Sequence, residues 1–87
     1  MMKSTYTDTY RVLIERLIQA RRKRGMTQAE LALKLGRPQS FVSKIENRER
    51  RLDVVEFIEI AHLIGEDPHD IIDALGETHL ESARRCT

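Results

Sequence analysis

The sequence predicts an all-α fold, a compact bundle of five helices. Three observations carry this. Apolar residues recur at three- and four-residue spacing in five segments, and no segment alternates apolar and polar as a half-buried strand does. The four glycines and two prolines fall where those segments begin or end. The connections between segments are short, and there is no repeat or low-complexity stretch.

Taken in order, the first helix is expected from about Asp8 to Arg24, preceded by an N-terminal arm at residues 1–7. Tyr10, Leu13, Ile14, Leu17 and Ile18 form its apolar stripe, and Gly25 suits the left-handed cap after it. The second helix opens at "TQAE", where Thr27 caps and Glu30 reaches back in a capping box. Leu31, Ala32 and Leu35 make its inner face, and Gly36 ends it. The third begins near Pro38 or Gln39, because proline fits a helix only at its start, and runs to about Glu46 or Asn47. "DVVE" opens the fourth, with Asp53 as cap and Glu56 three residues on. Val54, Phe57, Ile58, Ala61 and Ile64 give its inward period, and Gly65 closes it. The fifth opens at "DPHD", turns Ile71, Ile72 and Leu75 inward, and is expected to stop at Gly76. Residues 8–76 form the helical domain, and 77–87 a short polar C-terminal tail.

The 87 residues suffice for one small domain, which buries roughly 60–65% of its unfolded surface. A hydrophobic content of 40% beside 33% charged residues is that of a soluble globular chain. No apolar run approaches the ~18 residues of a membrane span, and no signal peptide precedes the domain. Cys86, the single cysteine, excludes an internal disulfide and fits a reducing cytoplasm, the expected location. His62, His69 and His79 read as surface or helix-edge residues. His62 and Glu66 lie four apart with no second ligand pair, so neither a metal nor another cofactor is expected. Cys86 has no base or oxyanion site in view, and no catalytic constellation appears, which argues against an enzyme.

The net charge of +1 conceals an asymmetry. Residues 21–51 hold ten cations (Arg21, Arg22, Lys23, Arg24, Lys34, Arg37, Lys44, Arg48, Arg50 and Arg51) against Glu30, Glu46 and Glu49, a net +7. Residues 52–87 hold nine acids against Arg84 and Arg85, a net −7. A basic half and an acidic half suit a protein that presents one face to a polyanion, although a charge run alone is also what a solvated helix surface shows.

Only Gly36, Arg37 and Pro38 separate the second and third helices. So short a link imposes a sharp angle, the geometry of a helix-turn-helix. In "GRPQSFVSKIENRERR", Val42 and Ile45 supply a packing face, while Gln39, Ser40, Ser43 and Lys44 share the opposite one. Such a face suits the major groove. Glutamine bonds adenine through two atoms, lysine donates to guanine and serine serves either role. The surrounding cations, Arg37, Arg48 and Arg50 among them, then meet phosphates. Phe41 lies between the two faces and is expected to be partly buried.

From Ile18 to about Leu75 the chain resembles the Cro/C1-type (XRE-like) helix-turn-helix family, whose fold is the lambda-repressor-like DNA-binding bundle. The resemblance rests on "ARRKRGMTQAELALKLG", "RPQSFVSKIEN" and "RRLDVVEFIEIAHLIGEDPHDII", and above all on "TQAELA" followed by Gly36 and "SKIEN". It implies that Gln28 bonds a DNA phosphate and that Gln39, Ser40 and Lys44 are the principal base-reading positions, with Ser43 beside them. It implies an ion bridge between Arg21 and Glu46, and a phosphate met by the backbone of Asn47 and the loop after it. One departure stands out: many relatives have glycine directly after the position of Asn47, and this chain has Arg48. Either Asn47 takes the left-handed turn, or the loop differs locally and the Arg48 side chain replaces the backbone contact.

The expected function is sequence-specific binding of double-stranded DNA by a transcriptional regulator. It would be a repressor acting by occupancy, as a homodimer on a two-fold operator. No room remains for a ligand-sensing domain, so control by concentration or by a partner is expected. Two rivals stand beside this reading. One is an antitoxin that represses its own operon, for which residues 1–7 and 77–87 are short as toxin-wrapping extensions. The other is a protein-interaction module that keeps the fold without binding DNA. Two dimer surfaces are open: one through Ile71, Leu75 and Leu80, the other through Tyr6 and Tyr10.

Overall fold

The computed structural model describes the backbone of residues 3–86 and the side chains of residues 8–77 and 79. Five helices follow one another: α1 (Lys3–Lys23), α2 (Gln28–Leu35), α3 (Gln39–Glu46), α4 (Val54–Leu63) and α5 (Pro68–Cys86). The described residues include no strand.

The capping signals set most boundaries. At the start of α2 the Thr27 hydroxyl accepts from the Glu30 amide at 3.0 Å, and Glu30 accepts from the Thr27 amide at 2.8 Å. Asp53 and Glu56 repeat the device at α4, at 2.8 and 3.1 Å. Each box satisfies two amides that the first turn leaves without helical partners. Gly36 takes φ 70° after α2, which lets the Arg37 amide reach back to the Ala32 carbonyl at 3.0 Å.

Two helices outrun their expected limits. α1 begins at Lys3, so residues 3–7, expected as an arm, are helical; that stretch holds neither glycine nor proline to stop a helix. α5 continues through Gly76 to Cys86 rather than ending there. Gly76 does not adopt the positive φ of a terminating glycine. Interior glycine costs about 1 kcal/mol relative to alanine, little enough for α5 to continue where it packs on α1. His79, half-buried, lies at the edge of α5 with its Nδ1 2.9 Å from the Thr9 hydroxyl, so this side chain bridges two helices.

The core draws on all five helices: Ile14 and Leu17, Leu31 and Ala32, Val42 and Ile45, Phe57, Ile60 and Ala61, then Ile64 and Ile71. Tyr10, Leu13, Ile18, Leu35 and Leu75 pack against it half-buried. Three expected core residues are exposed instead. Val54 is 71% exposed, Ile72 54% and Ile58 40%, while the unforeseen Ile60 is buried. On α4 the buried apolar stripe is 57, 60 and 61, continued by the cap residue Ile64, so Ile58 lies off its edge and Val54 lies at the helix start. On α5 Ile71 takes the inward position and its neighbour Ile72 is rotated out.

Candidate nucleic-acid interface

α3 divides into two faces. Val42 and Ile45, three residues apart, are buried against the core and fix the helix on the domain. Gln39, Ser40 and Lys44 are exposed and Ser43 is half-buried. Positions 39, 40, 43 and 44 share one side of the helix, so the polar groups form a single patch. Pro38 precedes the first turn in extended conformation, which sets the angle at which α3 leaves the turn after α2.

The far end of α3 resolves the question of the missing glycine. Asn47 keeps φ −85°, and Arg48 itself takes the left-handed conformation at φ 62°. The Arg48 amide donates to the Ile45 carbonyl at 3.0 Å, and the Glu49 amide to that of Lys44 at 2.8 Å. These are the two hydrogen bonds of a Schellman cap, with arginine where glycine is usual. They satisfy the last carbonyls of α3 while Arg48 bears a left-handed backbone costing roughly 1–2 kcal/mol.

Two ion pairs hold this helix and its following loop. In the first, Arg21 of α1 donates Nε to Glu46 Oε2 at 2.7 Å and Nη2 to Oε1 at 3.0 Å. Its Nη1 donates to the Met26 carbonyl at 2.7 Å. The side chains are 8% and 10% exposed. Gln28 Nε2 also donates to Glu46 Oε1, at 2.8 Å. One carboxylate thus ties α1, α2 and α3 together. Gln28, for which the resemblance implies a phosphate, commits one amide hydrogen to Glu46, which steadies its side chain at the start of α2.

In the second pair, Arg50 donates Nη1 to Glu56 Oε1 at 2.8 Å and Nη2 to Oε2 at 2.9 Å. Its Nη1 also donates to the Arg51 carbonyl at 3.0 Å. Hydrogen bonds from Arg50 hold the Glu56 carboxyl below the usual carboxylate range against the opposing effect of burial, helped by the Asp53 amide and the charges of Arg50 and Arg37. The guanidinium groups of Arg37 and Arg50 both lie over the Phe41 ring, 4.5 and 4.6 Å from its centroid. Phe41 is half-buried, as its place between the two faces of α3 led one to expect. Arg37, Asn47 and Arg48 are exposed, whereas Arg50, expected on a phosphate, bonds Glu56.

The helix-turn-helix family model HTH_3 matches residues 17–71 of this chain. The chain belongs to the Cro/C1-type (XRE) helix-turn-helix family. A solved XRE-family like protein from Pseudomonas syringae pv. tomato str. DC3000 shares 49% identity over 87% of this chain and 93% of that one, with a TM-score of 0.83. No curated protein matches the chain. Among the described residues, no helix is long and apolar enough to cross a membrane.

In this XRE domain Gln28 is tied through Glu46 to the end of α3 that Asn47 and Arg48 follow, while Arg37 lies over Phe41 nearer the start of the same helix. Sequence reasoning missed the Arg50–Glu56 pair. The partners lie six positions apart across a loop, a spacing with no periodic signature. The Arg37–Phe41 stack had a signal, since an arginine four residues before an aromatic at a helix start can fold over the ring.

Proposed function

We propose that this XRE-family domain is a sequence-specific double-stranded DNA-binding regulator, working in the cytoplasm as a repressor by occupying its operator. The observation that carries the reading is the division of α3. Its apolar side is locked by Val42 and Ile45, and its other side offers Gln39, Ser40, Ser43 and Lys44. A helix so anchored presents hydrogen-bonding groups at a fixed angle, which is what reading base edges requires. Gln28, Arg37, Arg48 and the amides around Asn47 are the proposed phosphate contacts.

Homodimerisation belongs to the same proposal, because one short helix reads too few base pairs for useful selectivity. Ile71 is fully buried and drops out as an interface residue, and the side chains of Leu80 and Tyr6, also expected at an interface, lie outside the described residues. Support for the α5 side comes from an apolar groove lined by Leu13, Leu52, Val54, Ile72 and Leu75. On a two-fold operator the two α3 helices of such a dimer need to lie about 34–36 Å apart, one turn of DNA.

Selection of bound sequences from a random DNA pool, followed by footprinting, tests the reading. The expected product is a two-fold site with half-sites about one turn apart, bound by a dimer. Recovery of no preferred sequence, or of a single half-site bound by a monomer, contradicts it.

A further inference from the structure

We propose that Glu56 is a built-in competitor for DNA phosphate: its carboxylate fills the guanidinium fork of Arg50 and withholds that cation from the nucleic acid, capping the domain's electrostatic affinity. The inference rests on the DNA-binding reading and concerns a residue outside the reading patch. A carboxylate and a phosphate present the same two-oxygen edge to an arginine fork, so one excludes the other there. Nη1 of Arg50 has both hydrogens engaged, on Glu56 and on the Arg51 carbonyl, and Nη2 bonds the second Glu56 oxygen.

Glu56 is not free to yield the fork. Its side chain is 9% exposed, and its Oε1 also accepts from the Asp53 amide, so leaving Arg50 disturbs the cap of α4. Arg50, by contrast, keeps 39% of its side chain exposed. It lies over Phe41 on the reading helix itself. A released Arg50 would stand beside bound DNA with its charge restored. Phosphate contacts add affinity without sequence information, so Glu56 limits binding to all sequences alike.

The test compares salt titrations of the wild-type chain, E56Q and the double variant E56Q/R50Q, each on the selected operator and on random duplex. Glutamine at the third position of a capping box still accepts from the cap amide, so E56Q keeps the start of α4. E56Q is expected to bind both duplexes more tightly and to steepen the slope of log K against log salt by about 0.9 per half-site. For a dimer, its advantage over wild type then shrinks about twelvefold between 50 and 200 mM salt. The double variant, neutral at both positions, returns to the wild-type slope.

An unchanged slope in E56Q overturns the proposal and leaves the DNA-binding reading intact. So does a double variant shallower than wild type by about 0.9 per half-site, which means that Arg50 already holds a phosphate. Wild-type protein that binds neither duplex overturns both. Guanidinium NMR of the unaltered chain gives a check free of folding effects. Arg50 should show hindered Nη rotation before and after operator is added, and a new coupling from Arg50 to a DNA phosphorus contradicts the proposal.

Discussion

Two arginine–glutamate pairs bracket the α3 region, and they differ in what surrounds them. Arg21–Glu46 is nearly sealed, with both side chains about one-tenth exposed and the same carboxylate holding Gln28. Arg50–Glu56 has a similar two-bond geometry, but its arginine is 39% exposed. Burial sets their roles. A sealed pair whose hydrogen bonds are all met holds helices in register, and losing one partner strands a charge in the interior. A half-open pair is screened by water and contributes less to stability, so its main effect is on the charge that the surface presents.

The largest predicted effect follows from the sealed pair. Glu46→Ala should destabilise the fold by about 3–5 kcal/mol, because Arg21 stays buried without its counter-charge and Gln28 loses its acceptor. Denaturant unfolding measures this, and a loss below about 1 kcal/mol would place the pair with ordinary surface bridges. Ile45→Ala, on the packing side of the same helix, should cost about 2–5 kcal/mol through the cavity it leaves.

The half-open pair predicts a pH dependence. Because the folded-state pKa of Glu56 lies below its ordinary value, its contribution is fully present above the unfolded carboxylate pKa, near 4.3, and is lost as pH falls through the lowered folded value. Melts of wild type and E56Q should therefore keep a constant gap above about pH 5.5 and converge in more acid solution. Parallel curves down to pH 3 would show that the pair does not couple to folding.

The smallest effect belongs to the loop between the two pairs. Arg48→Gly should relieve the positive φ and stabilise the domain by about 1 kcal/mol at most, read as a small rise in Tm. It should also reduce the salt slope of DNA binding by about 0.9 per half-site, since the side chain is a proposed phosphate contact. A lower Tm would mean that the Arg48 side chain makes contacts worth more than its backbone strain.

Much of this was readable from local chemistry. The two capping boxes, the left-handed Gly25 and Gly36 and the packing pair Val42 and Ile45 all follow from interactions within a few residues. The Arg21–Glu46 bridge spans 25 positions and came only from family resemblance. What stayed hidden depends on tertiary packing. Periodicity says that α4 has an apolar face but not where the core ends, so Val54 and Ile58 were placed inside and Ile60 was overlooked. Gly76 looks like a stop, yet α5 runs past it, and the first tie beyond it is the tertiary contact of His79 with Thr9. The pairing of Arg50 with Glu56 is not legible in the sequence, because the partner lies beyond a loop of unpredictable course.

The central claim is that the exposed side of α3 reads bases, and affinity measured against every single-base variant of the selected operator tests it most directly. Lys44→Ala and Gln39→Ala are the variants to compare, with thermal melts confirming that each stays folded. Each should lose about 1–3 kcal/mol on the best operator and flatten preference at one position per half-site, a different position for each residue. Equal losses on all sequences, with the base preferences of wild type retained, would show that α3 holds the duplex without reading it and would contradict the account.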